Sequence, residues 1–183
     1  MRKLSVDELN RKSIEVFRKS EKIPVIAVLD NVRSMNNVGS IFRSSDAFLL
    51  EAVYLCGYTP RPPHRDIQKT ALGATESMHW EHHEFILPAL ADLKENGFLI
   101  YAVEQAEGSI MLNELTLPNA AKIALIFGNE VEGVQNDVIA FCDQCIEIPQ
   151  SGMKHSLNIS VAAGIVFWEM YKRISDSGFR IPD

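Results

Sequence analysis

Two short polar stretches of this chain carry residue types that do chemistry, and each follows directly on an apolar run. The first is Gly128, Asn129, Glu130 and Gly133, at the end of IALIF. The second is Ser151, Gly152, Lys154, His155, Ser156 and Asn158, which leaves Cys145 to Ile148 through Pro149 and enters the apolar stretch ISVAAGIVFWE. Carboxylate, amide, hydroxyl and imidazole groups at such joints can grip a small molecule, since open α/β sheets bind ligands at the carboxyl ends of parallel strands. Two joints of the same kind imply one shared pocket. Glycine at 128 and 152 lets main chain come close to a ligand, although a glycine such as Gly152 also serves an ordinary turn. A third stretch, NNVGSIFRSSDAF, sets Asn37 and Arg43 among Ile41, Phe42, Ala47 and Phe48. Taken alone, an arginine in such a helix-like stretch is a surface or ion-pair residue.

Other clusters point to structure more than to chemistry. His79, His82 and His83 with Glu81 and Glu84 have metal-ligand types, but their alternation with Trp80 and Phe85 fits a strand with a polar face. Cys142 and Cys145 form a C-x-x-C that lacks a second pair and flanks a buried strand; with Cys56 they make an odd, sparse set from which no disulfide framework can be read. No metal site is expected. No G-x-G-x-x-G follows a strand, which counts against a dinucleotide oxidoreductase.

The elements that must position these residues alternate along the chain. Apolar strand-like runs (PVIAVLD, AVYLCG, FLIYAVE, KIALIFG, CIEIP) are separated by helix-like ones, which predicts a mostly parallel sheet with helices on both faces. Pattern alone predicts a doubly wound, unthreaded sheet. Residues 5–19 read as an amphipathic helix with Ser5 as cap, Glu8 closing a capping box, and Leu9, Ile14, Val16 and Phe17 apolar. That separates an amino-terminal helical extension, 1–22, from a single domain, 23–183, ending in the irregular tail SDSGFRIPD. The last helix, through Val161, Ala162, Ala163, Ile165, Val166, Phe167 and Trp168, is apolar nearly all the way round and must be covered on several sides.

A length of 183 residues with 46% hydrophobic content suits one domain with a real core. No apolar run reaches the ~18 residues of a membrane span and MRKLSVDELN has no signal-peptide core, so a soluble cytoplasmic protein is expected. The net charge of −6 argues against nonspecific nucleic-acid binding. Its distribution softens that objection. Residues 1–22 carry seven Lys or Arg against four acids, and residues 60–70 carry Arg61, Arg65 and Lys69 against Asp66, with His64 beside them.

At three separated motifs the chain resembles the SpoU (TrmH-like) RNA ribose 2′-O-methyltransferases of the SPOUT superfamily. They are NNVGSIFRSSDAF, with Asn37 and Arg43 six positions apart; ALIFGNEVEGV, with Gly128 and Glu130 as G-x-E; and IPQSGMKHSLNISVA, with Ser156 and Asn158 in the S-L-N core. Gln150 departs from the methionine usual after Ile-Pro. The resemblance implies a trefoil knot in the carboxyl half, built from the second and third motifs, with S-adenosylmethionine bound inside it, and a homodimer that covers the last helix.

The resemblance also implies roles. Main chain around Gly128, Asn129, Ile148, Gly152 and Leu157 would hold the cofactor, with Val103 and Glu104 closing the site from another strand. Arg43 would be catalytic; a guanidinium keeps its proton too firmly to serve as a base, so it would grip a phosphate and stabilise the developing alkoxide. Asn37 would orient Arg43 or the substrate. Glu130 would brace the pocket or pair with Arg43, and Ser156 and Asn158 would hydrogen-bond the loop and substrate. The expected partner is RNA, tRNA or rRNA; the lack of an added amino-terminal RNA-binding domain favours tRNA. The competing readings are a noncatalytic RNA-binding or assembly factor of the same fold and a nucleotide-binding oxidoreductase.

Overall fold

The run Ile23–Asp30 is apolar on both faces, and in the computed structural model, which describes residues 1–5, 8 and 12–176, it is the strand β1 in the middle of the sheet. Val25, Ala27 and Leu29 join the core on one side and Ile26 and Val28 the core on the other, none more than 2% exposed. Such a strand needs cover on both faces. Its neighbours are β2 (Leu50–Cys56) and β6 (Lys122–Phe127); β3 (Trp80–His83) lies outside β2, and β4 (Phe98–Val103), β7 (Gln144–Glu147) and β5 (Ile110–Met111) continue beyond β6. Every pairing among these strands is parallel, so their carboxyl ends share one edge of the sheet.

Helices cover both faces, as the alternation predicts. On one side α2 (Met35–Ala47), α3 (Arg65–Ala71), α4 (Ala74–Ser77) and α7 (Ile159–Asp176) bury Val38, Phe42, Ile67, Val166 and Phe167; on the other, α5 (Ile86–Glu95) and α6 (Asn136–Phe141) bury Leu90, Leu93 and Val138. Phe167 meets Phe127 of β6 edge to face at 5.6 Å. Ser34 caps α2, its Oγ accepting from Asn37 N–H at 3.3 Å. Gly39 lets α2 and α3 pack directly, because a Cβ there would collide with Thr70 Oγ1 and the Ile67 carbonyl.

The helix α7 divides its apolar surface in two. Val166 and Phe167 are fully buried in the chain's own core, while Val161, Ile165 and Trp168 stay 51%, 39% and 50% exposed. These exposed residues, at i, i+4 and i+7, form one stripe.

The amino-terminal helix is shorter than the sequence predicts. Lys12 and Ser13 are not helical, and α1 is only Ile14–Lys19, because Ser13 takes the cap position and accepts from Val16 N–H at 3.3 Å. Glu8 does reach back to Ser5 N–H at 2.7 Å. Of the predicted apolar side chains only Phe17 is buried, Ile14 and Val16 remain exposed, and Leu9 lies outside the described residues. So does the predicted irregular tail from residue 177 on; Ser175 and Asp176 belong to α7. Two elements escape sequence pattern, α4 and β5, because four and two residues are too few to show a period. Among the described residues no helix is long and apolar enough to cross a membrane, and no group of His, Cys, Asp and Glu is placed to hold a metal. Trp80 to His83 form a strand, as expected of this cluster, while His79 and Glu84 lie just outside it, and His82 is bonded to the Gly57 carbonyl and to Arg61.

Candidate functional site

The loops leaving β4, β6 and β7 surround a cavity of about 710 Å³ at the carboxyl edge of the sheet. The loop after β6 shapes one wall by bonding to itself. Asn129 and Gly133 exchange main-chain hydrogen bonds at 3.1 and 2.8 Å, and a Cβ on Gly128 would run into the Gly133 and Val134 main chain. Glycine at 128 is therefore required by the loop's own closure. Gly133 has φ of +70°, the left-handed region that favours glycine.

Side chains then fasten this loop on three sides. Asn129 is buried; its amide donates to the Asn31 carbonyl at 2.8 Å and Tyr58 Oη at 3.1 Å, while its Oδ1 accepts from Val131 N–H at 2.8 Å. Glu104, at the end of β4, accepts from Val134 N–H at 3.0 Å and Gln105 N–H at 2.9 Å. Glu130 accepts from Arg33 N–H at 2.9 Å, Ser34 N–H at 3.0 Å and Asn37 Nδ2 at 3.1 Å. Burial pushes the Glu130 carboxyl up, but the N–H groups of Arg33, Glu130 itself, Asn37 and Ser34 together outweigh it and hold the carboxyl below its ordinary value.

Asn37 is the centre of the arrangement. Its Nδ2 serves Glu130, and its Oδ1 accepts from Asn158 Nδ2 at 3.2 Å. Asn158 in turn accepts from Ser160 N–H at 2.9 Å, which fixes the start of α7. One bridge, Glu130 to Asn37 to Asn158, thus joins all three sequence motifs beside the cavity.

The cavity lining includes nine of the sequence-predicted residues: Val103, Glu104, Gly128, Asn129, Glu130, Ile148, Ser156, Leu157 and Asn158. Gly152 is not among them, and a Cβ there would meet no protein atom within 4 Å, so the fold itself does not require glycine at that position. Asn37 reaches the site through its two bonds. Arg43 does not line this cavity. It is exposed in a separate cleft between α2 and α3, and Glu130 does not pair with it. Helix geometry explains why: six positions at about 100° each place Arg43 on a different face of α2 from Asn37. The expectation that Asn37 orients Arg43 directly is corrected for the same reason. Gln105, Glu132, Asn136, Gln150 and His155 also line the cavity. Gln150 and His155 sit inside the third motif and Gln105 follows Glu104, so adjacency was the available signal; Asn136, on α6, had none.

The SpoU rRNA Methylase family model matches residues 24–168. The chain belongs to the SpoU family. Among its relatives, the tRNA (guanosine(18)-2′-O)-methyltransferase of Aquifex aeolicus is 31% identical over 170 residues, covering 90% of this chain and 76% of the relative. The corresponding enzyme of Thermus thermophilus is 29% identical, covering 93% and 86%. The crystal structure of the A. aeolicus TrmH/SpoU tRNA modifying enzyme superposes with a TM-score of 0.79 at 26% identity, covering 90% of this chain and 84% of that one. An AdoMet-bound rRNA methyltransferase from Sinorhizobium meliloti shares the fold, with a TM-score of 0.76 at 24% identity and coverage of 90% and 62%. The sheet of this SpoU chain is therefore the one the motifs imply, and the oxidoreductase reading falls away.

Proposed function

We propose that this chain transfers a methyl group from S-adenosylmethionine to a ribose 2′-hydroxyl of structured RNA, tRNA or rRNA. The observation that carries the reading is the Glu130–Asn37–Asn158 bridge, which binds the three SpoU motifs into one frame beside a cavity of ligand size. The cavity also fits the cofactor's charge. Its lining holds the carboxylates Glu104, Glu130, Glu132 and Glu147 and, among the described residues, no lysine or arginine, which suits a ligand with a sulfonium and an ammonium. Ile146, Ile148, Leu157 and Ala162 supply apolar surface for a purine, and main chain at Gly128, Ile148 and Leu157 supplies hydrogen bonds. The cofactor, when bound, provides the electrophilic methyl. The chain's own residues hold it, orient the hydroxyl and stabilise the charge that develops on oxygen.

Within this reading Ser156, exposed on the lining, is placed to meet the substrate, and Arg43 grips a phosphate and steadies the alkoxide while the proton leaves to water or an RNA phosphate. One chain keeps Arg43 and the cavity apart. The exposed stripe on α7 runs from Val161, beside the cavity-lining Ala162, to Trp168, whose ring lies 6.0 Å from that of Phe48 at the Arg43 cleft. A twofold axis across this stripe lays two copies antiparallel, so the Arg43 end of one copy meets the cavity end of the other. The reading therefore includes a homodimer through Val161, Ile165 and Trp168, with Val166 reserved for each chain's own core. It further includes the carboxyl-terminal knot around the 128–134 and 148–158 loops, a single domain over 23–183 with 1–22 as an extension, and a cytoplasmic location.

The test is methyl transfer from labelled S-adenosylmethionine to RNA from cells lacking the gene, with the methylated riboses mapped. Loss of one ribose methylation on deletion and its restoration by the purified protein is the expected result. Binding of both cofactor and RNA with no transfer would favour the noncatalytic assembly factor instead.

A further inference from the structure

The cleft between α2 and α3 encloses about 450 Å³ and is lined by Arg43, Lys69, Ser40, Ser44 and Thr70, with Phe48 at one side. Its two charged groups are both cations. Among the described residues neither Arg43 nor Lys69 has a hydrogen-bond or ion-pair partner, and the hydroxyls of Ser40 and Ser44 are likewise unengaged. Lys94 and Arg173, by contrast, are each held by a carboxylate, Lys94 by Asp143 at 2.9 Å and Arg173 by Glu169 at 2.7 Å. Two adjacent like charges without a counter-charge make a local positive potential on a chain whose net charge is −6. The cleft is also firmly built, because Gly39 seats α2 directly on α3 and Thr70 Oγ1 donates to the Asn36 carbonyl at 3.0 Å.

Every free side-chain group here is a donor. The lining offers two cations and several hydroxyls but no carboxylate or amide side chain, so the cleft suits an anionic ligand rich in acceptor oxygens. A phosphate meets that description. Arg65, one turn before Lys69 on α3 and exposed, extends the cationic track beyond the cleft.

We infer that this cleft is a phosphodiester subsite for the substrate RNA, in which Lys69 works beside Arg43. Lys69 supplies a point charge, Arg43 a planar fork, and Ser40 and Ser44 the hydroxyl donors. The inference rests on the RNA reading above and adds a contact the sequence motifs do not contain. Lys69 is a positioning residue: it holds the backbone while the chemistry proceeds elsewhere.

The experiment measures binding and methyl transfer on RNA from cells lacking the gene, across a salt series. Lys69→Ala should raise KM for RNA by roughly 5- to 20-fold and reduce the slope of log affinity against log salt by about 1, with S-adenosylmethionine affinity and kcat at saturating RNA within about 2-fold. Lys69→Arg should restore most of the affinity. Lys122→Ala, at the amino end of β6 and so on the far edge of the sheet, should change neither KM nor slope. Wild-type KM and slope in Lys69→Ala would overturn the inference, as would an equal loss in Lys122→Ala, which would mean bulk charge alone. A shift of Lys69→Ala to monomer would assign the cleft to a second copy, and tight, saturable, Lys69-dependent binding of inorganic phosphate at constant ionic strength would assign it to a free anion; either result overturns it. If the wild-type protein bound RNA with the Lys69-dependent slope but transferred no methyl, the enzymatic reading would fail and the subsite would stand.

Discussion

The cavity at the sheet edge and the cleft between α2 and α3 treat their polar groups in opposite ways. In the cavity wall Glu104, Asn129, Glu130 and Asn158 spend their hydrogen bonds on main chain and on neighbouring side chains such as Asn37 and Tyr58. In the cleft Arg43, Lys69, Ser40 and Ser44 keep theirs. Polar groups already paired build a frame whose shape is set before a ligand arrives; unpaired donors in a rigid cleft gain their partners only on binding. Residues that sequence motifs group together therefore divide into two kinds. Asn37, Glu130 and Asn158 are framework, while among the described residues the side chains of Arg43 and Ser156 are left unpaired, as the proposed substrate contacts require.

The largest expected effect tests the free kind. Arg43→Ala should lower methyl transfer by ~10²- to 10³-fold or more, with S-adenosylmethionine affinity nearly unchanged, because Arg43 does not line the sheet-edge cavity where the cofactor is proposed to bind. Isothermal titration with the cofactor, beside turnover on RNA, reads both. Arg43→Lys keeps charge but loses the fork, so substantial rescue would favour simple charge stabilisation over a bidentate grip. Loss of cofactor binding in folded Arg43→Ala would erase the distinction between the two clefts.

Next comes the α7 face that joins them in the proposed dimer. Ile165→Glu places a charge on the exposed stripe and should yield folded monomers with activity reduced by roughly 10-fold or more, since in the proposed dimer each cavity would lose its partner's cleft. Val166→Glu buries that charge in the chain's own core and should unfold the protein. Sedimentation and circular dichroism separate the two outcomes; a fully active Ile165→Glu monomer would confine Arg43 and cavity to one chain.

A smaller effect belongs to the frame. Glu130→Ala strands the N–H groups of Arg33 and Ser34 and the Asn37 amide. It should cost about 1–2 kcal/mol of stability and weaken cofactor binding, where Ser156→Ala should lower turnover with little change in Tm. The Glu130 contribution is complete at neutral pH. Because the native carboxyl titrates below its ordinary value, the contribution disappears as pH falls from ~4 downward. Equal loss of Tm in the two variants would show that Ser156 is framework too.

Much of this was legible in the residues. Apolar runs such as Ile23–Asp30 have no polar face, and that alone requires a sheet covered on both sides. The three motifs locate the site because their spacing survives in one dimension. Which motif residues touch one another does not: the Asn37 bridge spans 121 positions to Asn158, and the separation of Arg43 from the cavity depends on the rotation of α2. Nor does sequence distinguish Val166 from Ile165, two neighbouring β-branched residues of which one is core and the other surface. Lys69 falls in the basic island of residues 60–70, where composition shows only an excess of positive charge, and only the packing of α3 against α2 sets it beside Arg43.

The frame has one exception, and it yields the smallest prediction. Asp30, at the end of β1, is 1% exposed, and its Oδ2 has no partner, although Oδ1 accepts from Asn31 Nδ2 at 2.9 Å. Burial and then the charge of Asp137 raise the carboxyl to about 6, with the Asn31 bond opposing. The sign follows from comparing states. Below pH ~4 Asp30 is neutral both folded and unfolded, and it adds nothing. Between about 4 and 6 the unfolded chain releases the proton while the folded one keeps it, so stability falls as pH rises; above about 6 the full penalty of a buried charge applies. Asp30→Asn keeps an oxygen for Asn31 and removes the charge. It should therefore be more stable than wild type by roughly 1–3 kcal/mol at pH 8, with the gain shrinking toward zero near pH 4, as read from urea unfolding at both values. A gain independent of pH would mean that packing, not ionisation, separates the variants. Destabilisation at pH 8 would mean that the carboxylate has a partner in solution, and Asp30 would then join Glu130 among the satisfied groups of the frame.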